Sequence, residues 1–194
     1  MARRGDTRAR MVRSAIGLMQ RNGAAAVTVD AVLADSDTPR GSVYHHFPGG
    51  RDQLVGDALR SAGDLMTSMI RESVDKPIPE AIDTFLEFWR HLLTTSDYRA
   101  GCPIAGAAVG GGGAESDPAL HDQVAAIFAE WHVIIRDALV AAGAPAARAQ
   151  SVAIMLVAAT EGALILARVE RSLAPLDNVA DEIRHVIDSL DLTA

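Results

Sequence analysis

Cysteine is nearly absent from this sequence, since Cys102 is the only one among 194 residues. A single thiol excludes an internal disulfide framework and any metal site built from several cysteines. The N-terminal segment MARRGDTRARM also lacks the apolar stretch that a secretory signal requires. We therefore expect the protein to function in the reducing cytoplasm.

Long uninterrupted apolar runs are also absent. The longest, over residues 152–167, contains Thr160, Glu161 and Gly162 and is shorter than the roughly 18 residues that a membrane-spanning helix needs. Aromatic residues make up only 4% of the chain, and alternating β-branched runs do not occur, so the usual strand signals are missing. The sequence predicts an all-α protein with no membrane span.

The charged residues are unevenly distributed along the chain. The net charge is −7 overall, but residues 1–60 hold nine Arg and six Asp and carry +3, whereas residues 61–194 carry −10. At 49% hydrophobic residues, the chain can bury a core without disulfides. The pattern predicts a small basic unit, suited to an anionic partner, followed by a larger acidic one.

Two helices are predicted at the start of the chain. The first covers residues 7–22, with Asp6 or Thr7 as its cap and Gly23 as its stop. The second covers residues 29–36. Thr28 is the cap of the second helix. The first helix has a buried face formed by Val12, Ala15, Ile16 and Met19.

A third, short helix follows after a tight turn. Thr38 can cap it, Pro39 suits the first helical position, and the helix must end near Phe47 because Pro48 and two glycines follow. A long helix then begins at Arg51, with Leu54, Ala58, Ala62, Leu65 and Met69 at helical spacing. Later helices are predicted over 80–95, 104–109, 118–142, 145–170 and 176–190, with a flexible loop over 110–113 and with Asp117 and Asp177 as caps or first-turn acids.

Two short helices joined by a tight turn are typical of the helix-turn-helix motif, whose second helix enters the major groove. In the segment TPRGSVYHHF, Arg40 can contact guanine, Gly41 permits close backbone approach and Ser42 can contact either base type. Tyr44 and His45 can donate to phosphates. The arginines at positions 3, 4, 8, 10 and 13 are either further DNA contacts or an ordinary solvated helix face.

Residues 7–59, with VTVDAVLADSDTPRGSVYHHFPGGRDQL at their centre, resemble the DNA-binding domain of the TetR family of bacterial regulators. The segments RAGCPIAGAAV and EGALILAR resemble the LmrA/YxaF-like branch of that family. The resemblance implies a homodimer that pairs through its last two long helices. It also implies a helix-turn-helix domain over residues 1–50, followed by a helical domain over residues 51–194 that binds a small molecule.

The same resemblance implies roles for single residues. Asp37 stands where the family often has glycine, and Asp tolerates the left-handed conformation that such a turn requires. The family's base contacts correspond to Arg40, Gly41 and Ser42, and its phosphate contacts to Thr28, Tyr44, His45 and Arg51.

Residues 152–167 are apolar all round except for Thr160 and Glu161, so this helix must be covered on several sides. Glu161 is either a structural hydrogen-bonding group or a ligand contact. The other pocket candidates are Trp89, Arg90, His91, Cys102, Trp131, His132 and Met155.

The sequence thus predicts a cytoplasmic, ligand-responsive regulator, a repressor released from a palindromic operator by a small apolar or aromatic molecule. We expect neither a cofactor nor a metal, because His45 and His46 are adjacent and point apart on a helix. A helical enzyme or binding protein using the same pocket is the alternative, disfavoured because no di-iron motif, nucleophile with a partner or cofactor motif is visible. A purely structural helical dimer is the third interpretation.

Overall fold

The computed structural model describes residues 4–109, 117–190 and 192, and every regular element in these ranges is a helix. The all-α prediction is confirmed, whereas the loop predicted over 110–113 lies outside the described residues. In chain order the helices are α1 Arg4–Asn22, α2 Val29–Ser36, α3 Gly41–His46, α4 Gly50–Val74, α5 Ile78–Thr95, α6 Pro103–Val109, α7 Pro118–Ala141, α8 Ala146–Glu170 and α9 Ala174–Asp188, with a 3₁₀ turn at Ala24–Ala26.

The described chain forms two compact units. Unit 1 is drawn from residues 1–65 and 102–126, and unit 2 from residues 66–101 and 127–194. The chain therefore passes from one unit to the other three times, within α4, between residues 101 and 102, and within α7. The functional division into residues 1–50 and 51–194 stays a proposal.

The core of unit 1 is built around α1, which packs against α2 and α6. Met11, Ala15 and Met19 of α1 are fully buried, as are Val43 and Phe47. The predicted face of α1 is confirmed except at Ile16, which is half-buried. Close approach between helices explains a glycine in the RAGCPIAGAAV segment, because a Cβ atom on Gly106 would lie 2.8 Å from the Met19 carbonyl oxygen.

Two predicted helix starts are wrong. Helix α1 already begins at Arg4, so Asp6 and Thr7 lie inside it and do not cap it. Helix α3 begins at Gly41, because Thr38 belongs to the end of α2: its amide donates to the Leu33 carbonyl at 3.2 Å. Its hydroxyl also pairs with the Ser36 hydroxyl at 2.7 Å.

The apolar face predicted for α4 is correct in its first half only. Leu54, Ala58 and Ala62 are buried, but Leu65 is 60% exposed and the buried face continues through Met66 and Ile70. At 3.6 residues per turn, Met66, four residues after Ala62, lies closer to the buried face of the helix than Leu65, three residues after it.

Helices α5, α8 and α9 pack together in unit 2, where Leu139, Val152, Ile183 and Ile187 belong to one buried cluster. The prediction that α8 is covered on several sides is only partly met within one chain. By length and composition alone, α8 would suit a membrane span, as many core helices of soluble proteins do. One face of α8 is exposed, with the apolar residues Ile154, Ile165, Leu166 and Val169 on the surface.

Candidate functional site

The connection from α2 to α3 has the geometry of a tight turn between two short helices. Thr28 caps α2 as predicted, since its hydroxyl accepts a hydrogen bond from the Ala31 amide at 3.1 Å. Asp37 ends α2 in the left-handed conformation, with φ 48°. This backbone state is one that Asp adopts at lower cost than most residues, in agreement with the prediction.

Arg10 holds this turn from α1. Its Nε donates to the Ser36 carbonyl at 3.1 Å, and its Nη2 donates to the Asp37 carbonyl at 2.5 Å. The sequence predicts either a DNA contact or a solvated helix face for this arginine. The structure instead gives it a structural role, because it satisfies two carbonyls that the end of α2 leaves without helical partners.

Two other arginines of α1 that the sequence offers as DNA contacts, Arg8 and Arg13, differ in their surroundings. Arg8 forms an ion pair with Asp57 at 2.7 Å and lies over the Phe47 ring, 5.1 Å from its centroid. Arg13 is exposed. Arg3 and the side chain of Arg4 lie outside the described residues.

The predicted base-contacting and phosphate-contacting residues lie on an accessible surface of unit 1. A Cβ atom added to Gly41 would have no atom within 4 Å, so packing within the protein does not require glycine at this position. Val43 and Phe47 are turned into the core. Around them Thr28, Arg40, Tyr44 and His45 are exposed and Ser42 is half-buried.

Two arginines of this surface have partners that the sequence pattern did not indicate. Arg40 Nη2 lies 3.1 Å from a carboxylate oxygen of Asp30, and both side chains are largely exposed. Arg51 Nη2 donates to the Ala24 carbonyl at 2.9 Å. Arg51, predicted as a phosphate contact, therefore also holds the turn that leads into α2.

A cavity of about 940 Å³ lies in unit 2. Helices α4, α5, α7, α8 and α9 all contribute to its wall, which is mostly aliphatic and aromatic. Trp89, Trp131 and Glu161 line it, as predicted from sequence. Periodicity alone did not indicate the other wall residues, among them Met66, Phe85, Ile135, Leu156 and Thr160.

The remaining candidates are not brought to this wall. Arg90 forms an ion pair with Asp177 at 2.9 Å. Arg90 and His91 line a separate depression of the surface. Cys102 is buried in unit 1. Met155 packs on the buried cluster of unit 2, and His132 is a partly buried residue of α7.

The two tryptophans of the wall differ in how their indole N–H groups are satisfied. Trp131 Nε1 donates to the Thr67 hydroxyl at 2.9 Å. Trp89 is 1% exposed, and among the described residues its Nε1 has no hydrogen-bond acceptor. The rings of Phe85 and Phe88 contact Trp89 edge-on, with centroids at 6.2 Å and 4.9 Å.

A few polar groups interrupt the apolar wall of the cavity. The Ser73 hydroxyl donates to a carbonyl of its own helix, that of Met69, at 2.8 Å. Lys76 Nζ donates to the Thr84 hydroxyl at 3.1 Å. Glu161 is half-buried on an otherwise apolar stretch of α8. An apolar chamber with a few polar groups is the usual form of a small-molecule site.

Two family models match this chain. Residues 12–58 match bacterial regulatory proteins of the tetR family. Residues 79–182 match the C-terminal domain of LmrA/YxaF-like transcriptional regulators. The two matches cover the helix-turn-helix region of unit 1 and most of the helices that line the cavity.

Individual known proteins are similar to the chain over nearly their whole length. An uncharacterized helix-turn-helix-type transcriptional regulator of Mycobacterium tuberculosis is 38% identical over 183 residues, which is 93% of each chain. The transcriptional regulator LmrA of Bacillus subtilis is 24% identical over 91% of this chain and 94% of its own.

Solved structures show the same fold. A TetR transcriptional regulator from Chloroflexus aurantiacus superimposes with a TM-score of 0.75 at 26% identity, over 100% of this chain and 98% of that one. One from Legionella pneumophila superimposes with a TM-score of 0.78 at 20% identity, over 91% and 94%.

Proposed function

The chain belongs to the TetR family of transcriptional regulators, in its LmrA/YxaF-like branch, and from this premise we propose that it is a homodimeric repressor whose operator affinity is lowered by a small molecule. The molecule binds in the cavity of unit 2. We further propose that the protein acts in the cytoplasm, without a cofactor, a metal or an enzymatic activity of its own.

The observation that carries the DNA-binding role is the exposed surface of α3 beside the capped start of α2. Arg40, Gly41 and Ser42 contact bases in this proposal. Thr28, Tyr44, His45 and Arg51 contact phosphates, which positions the short helix in the major groove.

A dimer is proposed because one short helix reads only a few base pairs. Two copies related by a two-fold axis read a palindrome whose half-sites lie about 34 Å apart, or a little more. The exposed apolar face of α8 supports pairing of subunits, since its side chains gain most when covered. Ile165 and Val169, 55% and 77% exposed, are the central residues of that face.

The effector is proposed to be a planar or aromatic molecule with a hydrogen-bond donor. The apolar wall accommodates its ring, and Glu161 accepts from its donor. Helix α4 runs without interruption from Gly50 to Val74, and Met66 and Ile70 near its end line the cavity. An effector lowers operator affinity only if it binds one conformation better than the other, so contacts to α4 provide the necessary difference.

Binding of the full-length protein to its own upstream DNA tests the regulatory role. We expect a palindromic footprint and affinity that falls steeply with salt. Light scattering should give a dimer. A monomer at micromolar concentration, or a footprint without symmetry, contradicts the proposal, and an enzyme or a structural dimer would not bind this DNA selectively.

Naphthol and naphthalene, which differ by one hydroxyl group, test the role of Glu161. We expect naphthol to release the operator at lower concentration, and Glu161→Gln to weaken this effect while operator affinity without effector stays the same. Should Glu161→Gln instead lower the melting temperature by several degrees and leave release unchanged, Glu161 is a structural residue.

A further inference from the structure

We propose that Trp89 selects the effector through its indole N–H, so that the molecule bound in the cavity carries a hydrogen-bond acceptor, such as a carbonyl oxygen, against Nε1. The inference deepens the proposed effector role of the cavity and rests on it. It adds a second polar requirement, opposite in kind to the donor that Glu161 accepts from.

The first step is the state of the Trp89 indole. Trp89 lines the cavity, its side chain is 1% exposed, and its Nε1 has no acceptor among the described residues. A buried N–H without a partner costs free energy, and such groups are rare in folded proteins. A binding site is one of the places where this cost is tolerated, because the bound molecule removes it.

The second step is the contrast with Trp131. This indole lines the same cavity and is buried to a similar degree, yet its N–H donates to the Thr67 hydroxyl. The fold therefore satisfies one wall tryptophan internally and leaves the other dependent on a partner. Of these two indoles, the one of Trp89 would gain a hydrogen bond from an acceptor that reaches it without losing an existing one.

The third step is the chemistry around Trp89. Phe85 and Phe88 contact it edge-on and offer no lone pair to the N–H. Leu86 on the same helix and Leu156 on α8 belong to the same apolar wall. A neutral ring carrying an acceptor oxygen suits these surroundings, because a charged acceptor would lose its hydration among hydrocarbon groups.

Fluorenone and fluorene provide a matched pair of probes, because they have nearly the same planar shape and differ by a carbonyl in place of a methylene. We expect the full-length protein to bind fluorenone about tenfold more tightly than fluorene, as one hydrogen bond to a previously unpaired group would give. In Trp89→Phe this preference should disappear. Trp131→Phe removes the wall indole whose N–H is already paired with Thr67, so the ratio of the two affinities should persist there even where both affinities change.

The indole N–H signals provide a second readout that needs no variant of Trp89. The chain has two tryptophans, so ¹⁵N-tryptophan labelling gives two indole resonances per subunit, and Trp131→Phe assigns them. Fluorenone should move the Trp89 indole proton downfield. Fluorene should leave it without a downfield shift, since it offers no acceptor.

The outcomes separate this inference from the proposed function. Equal affinity for the two probes with no downfield shift at Trp89 overturns the inference, even if both release the operator. Fluorenone bound through Trp89 without any effect on operator affinity supports the inference; failure of the proposed effector response is shown separately by naphthol, which carries the donor for Glu161 that fluorenone lacks. If neither probe binds, the cavity is not a site for planar aromatic molecules and both fail.

Discussion

The guanidinium of Arg40 lies 3.1 Å from the carboxylate of Asp30, which joins the residue before α3 to the first turn of α2. Both side chains are exposed, so the pair stabilises the fold by less than about 1 kcal/mol. Its consequence concerns binding, because the arginine proposed to contact a base must leave this carboxylate or share it. The motif thus carries an acidic group beside the proposed DNA contacts.

Replacing Arg40 with alanine should cost about 1–3 kcal/mol of operator binding and relax base preference at one position in each half-site. The matched variant Tyr44→Phe removes a proposed phosphate contact and should weaken all sequences alike. Binding-site selection measures both effects. If Arg40→Ala keeps the same preferred sequence, the assignment of Arg40 as a base contact is wrong.

Replacing Asp30 with asparagine should raise DNA affinity severalfold, because it removes a negative charge near the phosphates and frees Arg40. The gain should be larger at low salt, where exposed charges are screened less. Asp35→Asn is the control, since Asp35 lies on the same helix, is paired with Arg21 at 3.2 Å and undergoes the same change in charge. Equal effects of the two variants would show that the change in net charge, and not the release of Arg40, raises the DNA affinity.

Replacing Arg10 with alanine should destabilise unit 1 by about 1.5–3 kcal/mol, the range for hydrogen bonds to a charged group. Two carbonyls at the end of α2, those of Ser36 and Asp37, lose their donor. Thermal unfolding measures the loss. Arg13→Ala removes the same charge from an exposed position of the same helix, and a comparable loss there would show that charge, not the contact with the turn, is responsible.

Replacing Thr67 with valine should cost about 1–3 kcal/mol, because it leaves the buried Trp131 N–H without an acceptor at nearly unchanged volume. Urea unfolding of this variant is compared with that of Thr94→Val. The Thr94 hydroxyl is exposed and donates only to carbonyls of its own helix. A similar change in both variants would mean that valine in a helix explains the loss.

Mild acid should destabilise the protein through His132, because burial lowers the pKa of this imidazole below its ordinary value near 6.5. The unfolded state then binds the proton more readily than the folded state. This contribution to stability is complete above about pH 6.5 and is lost as the pH falls toward the folded pKa. His132→Gln should flatten the dependence of the melting temperature on pH, whereas His121→Gln, an exposed change on the same helix, should not.

Local signals in the sequence were sufficient for most helices. Thr28 followed by an apolar pattern predicted α2 over Val29–Ser36, because a hydroxyl cap and helical spacing act within a few residues. Gly23, with φ 78°, ends the α1 segment as expected. Where the local signal was ambiguous the prediction is wrong, as at Thr38, whose amide donates to the Leu33 carbonyl at the end of α2 and whose side chain does not cap α3.

Short-range spacing and residue types are therefore enough to predict most of the helices, the helix-turn-helix region and the family. Which side chains meet depends instead on how the helices pack. Arg10 contacts a turn 26 residues away, and Trp131 donates to Thr67, 64 residues away, whereas Trp89 has no acceptor in the part of the chain that the structure describes. Whether a buried polar group is satisfied depends on contacts between distant helices, and no periodicity encodes those contacts.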